Sequence, residues 1–156
     1  MLFRSLHSFL DQLVDEWRSA RPTQVLDYAR SDLIDRPMMS DAALKQMVGN
    51  VLDNGVDAAP SMPLKLSVVC TDNWIALIVQ DAGPGFSPGM LKNFAKPYHS
   101  SKNRPGSGLG LFLSVNVART LGGTIEASNM AGGGAEVVVK LPLAAFTLRE
   151  RKVRGS

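Results

Sequence analysis

The 156-residue sequence predicts an α+β fold in which helices are layered on one mixed sheet. Segments with helical spacing and paired β-rich runs follow one another in the order α-β-α-ββ-loop-α-ββ. Clusters of Gly, Pro, Ser and Asn separate them. A composition of 45% hydrophobic and 20% charged residues suits one globular domain. Neither an internal repeat nor the strand-helix alternation of a doubly wound sheet is visible.

Leu2, Leu6, Phe9, Leu10, Leu13, Val14 and Trp17 have the spacing of an amphipathic helix over residues 2–18, ended by Pro22. Thr23 to Ala29 reads as a short strand and Asp32 to Met39 as a further extended piece. A second helix is expected from Ser40-Asp41, where Ser40 can cap the first turn, to about Ala59 before Pro60. Leu64–Val69 and Trp74–Gln80 are strands joined by a turn at Cys70-Thr71-Asp72-Asn73. Residues 81–106 are loop-like, with one helical turn around Met90–Phe94. Gly108–Leu121 reads as a third helix, and Thr124–Ser128 and Ala135–Leu141 as two strands joined through Met130-Ala131-Gly132-Gly133-Gly134.

A chain of this size buries about 70% of its unfolded surface and needs no metal or disulfide to hold a core. The single cysteine, Cys70, cannot form an internal bridge and reads as buried packing. No apolar run approaches the ~18 residues of a membrane span, and the N-terminus lacks a secretory apolar region, so a cytoplasmic protein is expected. The net charge of +3 is concentrated in Arg149, Arg151, Lys152 and Arg154. With 6% aromatic residues and no basic face, a nucleic-acid partner is not expected; the tail reads as a solvated terminus or linker.

Three segments carry chemistry. On the second helix Leu44, Met47, Val48, Val51, Leu52 and Val56 form a core stripe, while Gln46, Asn50, Asp53, Asn54 and Asp57 form a polar one. Asn is a poor helix former, and Asn50 and Asn54 lie one turn apart. They are either two solvated side chains or oxygen ligands for a hard cation that keeps phosphate and water. After the strand Trp74–Gln80 comes Asp81-Ala82-Gly83-Pro84-Gly85-Phe86. A carboxylate there can accept from a flat exocyclic amine, and glycines admit close backbone approach; a plain tight turn is the alternative. Gly106-Ser107-Gly108-Leu109-Gly110-Leu111 opens a helix and offers free amides to phosphate. It has neither the βαβ context of a dinucleotide fingerprint nor the terminal Gly-Lys-Ser/Thr of a P-loop.

Taken in this order, the segments resemble the boxes of the ATP-binding catalytic domain of sensor histidine kinases, in the superfamily shared with gyrase B, Hsp90 and MutL. Asn50-Val-Leu-Asp-Asn54 resembles the N box, Asp81-Ala-Gly83-Pro-Gly85 the G1 box, Phe94-Ala-Lys-Pro97-Tyr98 the F box and Gly106-Ser-Gly108-Leu109-Gly110-Leu the G2 box. Leu121-Gly122-Gly123-Thr124-Ile125 and Gly133-Gly134-Ala135-Glu136 continue the pattern, and the likeness covers about residues 24–143. A narrower set, Asp15-Glu16-Trp17-Arg18 before Arg21-Pro22, with Tyr98-His-Ser-Ser-Lys102 and Gly133-Gly-Ala135-Glu136, resembles the redox-responsive RegB/PrrB kinases.

The resemblance implies a Bergerat fold: a two-layer sandwich whose mixed, mostly antiparallel sheet is covered by about three helices, with a mobile ATP lid over about 86–105. It implies ATP and Mg²⁺ as cofactors. Asp81 would receive the adenine amino group and Asn54 would ligate Mg²⁺, supported by Asn50. Gly83 and Gly85 would shape the adenine end. The backbone around Gly106, Gly108, Leu109 and Gly110 would hold the phosphates, and Lys102 would reach the γ-phosphate, with Arg104 and His99 as solvated lid residues. Phe94 and Tyr98 would pack the hinge. ATPase branches carry Glu at the place of Asn50 as general base; an amide lacks that basicity, which favours phosphoryl transfer.

Ala135 departs from the Ser or Thr common after the glycine pair. His7, followed by Ser8-Phe9-Leu10, lacks the acidic neighbour of a phosphoacceptor. The expected organisation is a connector helix (1–22), a catalytic domain (23–145) and a basic tail (146–156). The expected partners are a histidine-bearing dimerisation domain outside this chain and a response regulator. The fragment itself is expected to be monomeric and not membrane-inserted, the full-length kinase being anchored in the inner membrane. A stand-alone serine kinase of the anti-sigma-factor type, and a non-catalytic nucleotide-binding docking module, are the alternatives.

Overall fold

The computed structural model describes residues 3–31, 35–39, 42–92 and 107–145. In chain order these form β1 (Phe3–Ser5), α1 (Leu6–Ala20), β2 (Leu26–Arg30), β3 (Pro37–Met39), α2 (Ala42–Ala58), β4 (Leu64–Cys70), β5 (Trp74–Gln80), α3 (Pro88–Lys92), α4 (Ser107–Thr120), β6 (Thr124–Asn129) and β7 (Ala135–Pro142). The basic tail, the F box and the expected Ser40 cap lie outside the described residues.

Five strands form one sheet in the order β2-β4-β5-β7-β6, and β1 pairs separately with β3. Only the β2–β4 pair of the large sheet is parallel; β4–β5, β5–β7 and β6–β7 are antiparallel. The expected mixed, mostly antiparallel sheet under three long helices is what the chain adopts. The single parallel pair follows from α2, which supplies the crossover that parallel neighbours require.

Strand alternation sets the layering. Leu64, Leu66, Val68 and Cys70 of β4, Ile75, Leu77 and Val79 of β5, and Val137, Val139 and Leu141 of β7 all turn to one buried face. Against them pack Leu44, Met47, Val48, Val51 and Leu52 of α2, together with Val115 and Ala118 of α4. Val56, expected in the core stripe, is half-buried at its edge. Gly55 is buried instead, because a Cβ there would come within 2.6 Å of Leu64 Cδ1. α1 adds Leu6, Phe9, Leu10, Leu13, Val14 and Trp17 to the same core. On the opposite, open face Val69 and Trp74 are exposed, with Lys140 Nζ over the Trp74 ring at 5.0 Å.

The first helix begins later than its periodicity predicts. Phe3–Ser5 is drawn into a two-stranded ladder with Pro37–Met39, and Ser5 becomes the N-cap, accepting from Ser8 N at 3.1 Å. The helical turn expected at Met90–Phe94 starts at Pro88, whose fixed φ suits a first helical position. Thr23–Val25 is not strand: Gln24 N bonds Arg21 O at 3.0 Å, and pairing starts only at Leu26. Cys70 is buried as expected, and that burial pushes its thiol up.

Candidate functional site

Chain direction assembles the site. α2 runs back over the strand that follows it, and so does α4. β4 and β6 are oppositely directed, because each step β4–β5–β7–β6 is antiparallel. α2 and α4 are therefore antiparallel neighbours, tied where Ser114 Oγ donates to Met47 O at 3.5 Å. The C-terminal half of α2, the first turn of α4, the end of β5 and the β6–β7 hairpin consequently share one end of the domain.

Asp81 stands at the end of β5, only 7% exposed. Its Oδ1 accepts from Gly83 N at 2.9 Å and from Ala135 N at 3.2 Å, and its own N–H donates to Ala135 O at 3.0 Å. The carboxylate is thus held by backbone on one oxygen. Among the described residues no donor reaches Oδ2, which is left as an acceptor. Gly134 permits this close packing: a Cβ there would fall 2.0 Å from Asp81 O.

Gly83 lies against the C-terminal end of α2, where a Cβ would come within 2.8 Å of Ala58 O. Asn54 is one turn before Ala58 and Asn50 one turn before that, so along the helix they lie about 6 and 12 Å from the Asp81 turn. Both asparagines are half-buried, and neither side chain has a hydrogen-bond partner among the described residues. Asp53, in the same stripe, faces α1 instead: its Oδ1 accepts from Trp17 Nε1 at 3.0 Å and pairs with Arg21 Nη2 at 2.5 Å. Arg21 in turn stacks over Trp17 at 4.7 Å.

α4 starts at Ser107, so the amides of Gly108, Leu109 and Gly110 lie in its first turn, where N–H groups lack intrahelical partners. Gly106, Lys102, Arg104, His99, Phe94 and Tyr98 lie outside the described residues. Asn50, Asn54, Asp81, Gly83 and Gly85 converge with the α4 N-terminus on one end of the fold.

One contributor, Asn129, escapes a reading by motif. Gly85 (φ +82°) sits so close to Asn129 that a Cβ would meet its Oδ1 at 2.6 Å. Asn129 Oδ1 accepts from Phe86 N at 2.6 Å, and its Nδ2 donates to Phe86 O at 2.8 Å. The only trace of this in the sequence is an Asn at a strand end before a glycine-rich turn. The glycines of the Asp81 turn therefore make room for the protein's own atoms, from α2 at Gly83 and from β6 at Gly85.

The frame is thus a sheet backed by antiparallel helices, with asparagine amides on one helix that have no partner among the described residues and a tethered carboxylate at a strand end. The family model described as "Histidine kinase-, DNA gyrase B-, and HSP90-like ATPase" matches residues 39–145, and the chain belongs to that family. Its curated relatives include sensor histidine kinases. The C4-dicarboxylate transport sensor protein DctB of Pseudomonas aeruginosa is 37% identical over 72% of this chain and 19% of its own length. The chain thus spans about a fifth of that relative. Among solved structures, the mycobacterial sensor histidine kinase MprB superposes with a TM-score of 0.73 at 22% identity, covering 90% of this chain and 97% of that one. Full-length ShkA in complex with AMPPNP gives 0.72 at 21% identity, over 91% of this chain and 30% of that one. The fold is that of histidine kinase catalytic domains.

Proposed function

We propose that this chain is the Mg-ATP-binding catalytic domain of a two-component sensor kinase, which donates the γ-phosphoryl group to a histidine on a separate dimerisation domain. One observation carries the reading: among the described residues Asp81 has one oxygen tied to backbone and the other left open, on the same end of the fold as two asparagine amides without a partner. Asp81 Oδ2 accepts the exocyclic amine of adenine. The first-turn amides of α4, at Gly108, Leu109 and Gly110, with Gly106 before them, face the phosphates. Gly83 and Gly85 form the wall beside the base.

The donor set suits Mg²⁺. This cation keeps several waters and takes few protein oxygens alongside phosphate, and neutral amides from Asn54 and Asn50 can supply those without an acidic cluster. Among the described residues no group of three or more His, Cys, Asp and Glu is placed to hold a metal. When bound, Mg²⁺ neutralises charge that develops on the transferring phosphoryl group. Asn54 orients the phosphates, and Asn50 holds water without deprotonating it, since an amide is no base. Lys102 adds positive charge at the γ-phosphate. The absence of a general base at Asn50 favours transfer to a protein acceptor over hydrolysis.

Among the described residues no helix is long and apolar enough to cross a membrane. We place the fragment on the cytoplasmic side of a kinase anchored elsewhere in its chain, monomeric alone and signalling to a response regulator. We assign 1–22 to the junction with the dimerisation domain, 23–145 to the catalytic domain and 146–156 to a tail. The test is phosphotransfer from labelled ATP to a separately produced histidine-bearing dimerisation domain. An acid-labile, Asn54-dependent product is expected. An acid-stable product on serine would assign the chain to the serine kinases, and no product together with no ATP binding would make it a docking module.

A further inference from the structure

We propose that Asp57 reads the sugar of the bound nucleotide: its carboxylate accepts hydrogen bonds from the ribose hydroxyls and selects ribonucleotides over deoxyribonucleotides. The proposal rests on the reading of Asp81 as the acceptor of the purine amine and of Asn54 as the metal amide. At about 100° per residue, Asn50, Asn54 and Asp57 lie within about 60° of one another around α2. Asp57 is therefore on the face that carries the two asparagines, whereas Asp53 is drawn toward α1 by Trp17 Nε1 and Arg21. Along the axis Asp57 comes about 4.5 Å after Asn54 and one residue before Ala58, whose carbonyl backs Gly83 of the Asp81 turn. On the proposed reading α2 thus presents Asn50 and Asn54 to the phosphates, then Asp57, then the wall beside the base. In a nucleotide the group between phosphates and base is the sugar.

Charge singles out Asp57 for this task. It is exposed, and among the described residues its side chain has no hydrogen-bond or ion-pair partner. In the same helix layer Arg21 is committed to Asp53 and Lys45 to Glu16. Asp57 stands in the last turn of α2, which holds no basic residue. The helix dipole is negative there, so a carboxylate is locally disfavoured. Beside a triphosphate it is disfavoured again, unless the ligand supplies donors to it. An ionised carboxylate only accepts, and its two oxygens can take two donors at once. ATP has few donors to offer: the exocyclic amine, which Asp81 takes, and the 2′- and 3′-hydroxyls. That vicinal pair suits two carboxylate oxygens, the chemistry by which an acidic residue holds ribose in dinucleotide-binding folds. Asp57 is thus placed where the fold gains nothing from its charge and a ribose does.

The experiment titrates the protein with ATP and with 2′,3′-dideoxy-ATP, both with Mg²⁺, and reads the ratio of the two affinities by calorimetry. Wild type should prefer ATP by about tenfold, the weight of one charge-assisted hydrogen bond. In Asp57→Ala the ratio should fall to within about twofold of one, and Asp57→Asn, which keeps one acceptor, should lie between. Asp53→Asn, which alters the neighbouring carboxylate that faces α1, should keep the wild-type ratio. The denaturant midpoint of Asp57→Asn should not fall, because a charge opposed to the helix dipole has been removed. A wild-type ratio near one, or a ratio that Asp57→Ala leaves unchanged, would overturn the proposal. So would an equal gain for both nucleotides, which would mean that the carboxylate only repels the phosphates. A loss that vanishes in excess chelator would place Asp57 at the metal and overturn it too. Purine riboside triphosphate, which lacks the exocyclic amine, tests the underlying reading apart from the sugar. If wild type binds it as well as ATP, the assignment of Asp81 falls, and with it the elimination that leaves the hydroxyls to Asp57.

Discussion

Replacing Asp81 by Asn separates the folding role of this residue from its binding role. Oδ1 can remain where it is and keep its bonds from Gly83 N and Ala135 N. Those bonds change from charge-assisted to neutral, roughly halving each, so the fold should lose about 1 kcal/mol. The other position changes from acceptor to donor and now faces the adenine amine, also a donor. Losing a charge-assisted bond costs about 1.5–3 kcal/mol, and leaving a donor unmet in the pocket about 1–3 more. At 1.4 kcal/mol per tenfold, ATP affinity should drop by about two to four orders of magnitude. Calorimetric titration with a non-hydrolysable ATP analogue and Mg²⁺ gives the affinity, and denaturant unfolding gives the stability. Asp81→Ala should differ by also orphaning both amides, costing the fold about 2–4 kcal/mol. Affinity of Asp81→Asn within about threefold of wild type, or a loss of fold as large as that of Asp81→Ala, would refute the division of labour between the two oxygens.

Asn54→Ala should weaken ATP binding about tenfold in Mg²⁺, and the difference from wild type should vanish in excess chelator; a magnesium-independent defect would place Asn54 away from the metal. Gly134→Ala puts a Cβ against Asp81 O in a backbone with φ +91°. It should cost about 2–4 kcal/mol of stability and abolish nucleotide binding, whereas Gly132→Ala, with open space around it, should change stability by less than about 0.5 kcal/mol. The carboxyl of Asp11 is held below the ordinary value of 3.8 chiefly by the Arg30 guanidinium, against an opposing effect of burial and with help from the Tyr28 hydroxyl. A lowered folded pKa stabilises above the unfolded value and is lost as pH falls through the folded one. Asp11→Asn should therefore lower stability at pH 7, by no more than about 1 kcal/mol because Asp11 is 44% exposed. The gap between mutant and wild type should close as the pH drops below about 4 in acid-unfolding curves.

What the sequence made legible depended on whether the signal was local. The alternation in Trp74–Gln80 and the helical stripe Leu44–Leu52 each impose a period on neighbouring residues, and both elements appear where the pattern puts them. Phe3–Ser5 carries no such signal: its residues fit the helical period of Leu6–Trp17 equally well, and it is strand only because Pro37–Met39 comes alongside. The polar stripe on α2 was legible as a stripe but not in its partition. Among the described residues Asn50 and Asn54 have no side-chain partner, while Asp53 is taken up by Trp17 of α1 and Arg21 at its C-cap, a contact no spacing on α2 encodes.

The same distinction governs the site. The box glycines were legible as places where backbone must come close, but what comes close is set by topology. Gly83 meets α2, Gly85 meets β6 and Gly134 meets Asp81, three approaches that exist because the end of α2, the end of β5 and the β6–β7 hairpin share one end of the sheet. The carboxylate proposed for the base and the amides proposed for the metal sit on elements distant in sequence. They are brought into one frame by the turn from Asp81 to Phe86, wedged between Ala58 and Asn129. On the proposed reading, this frame, held from two independent elements, positions the base through the Asp81 turn itself. Affinity for the adenine moiety should accordingly survive deletion of residues 93–106, whereas Gly134→Ala, which leaves that segment intact, should remove it.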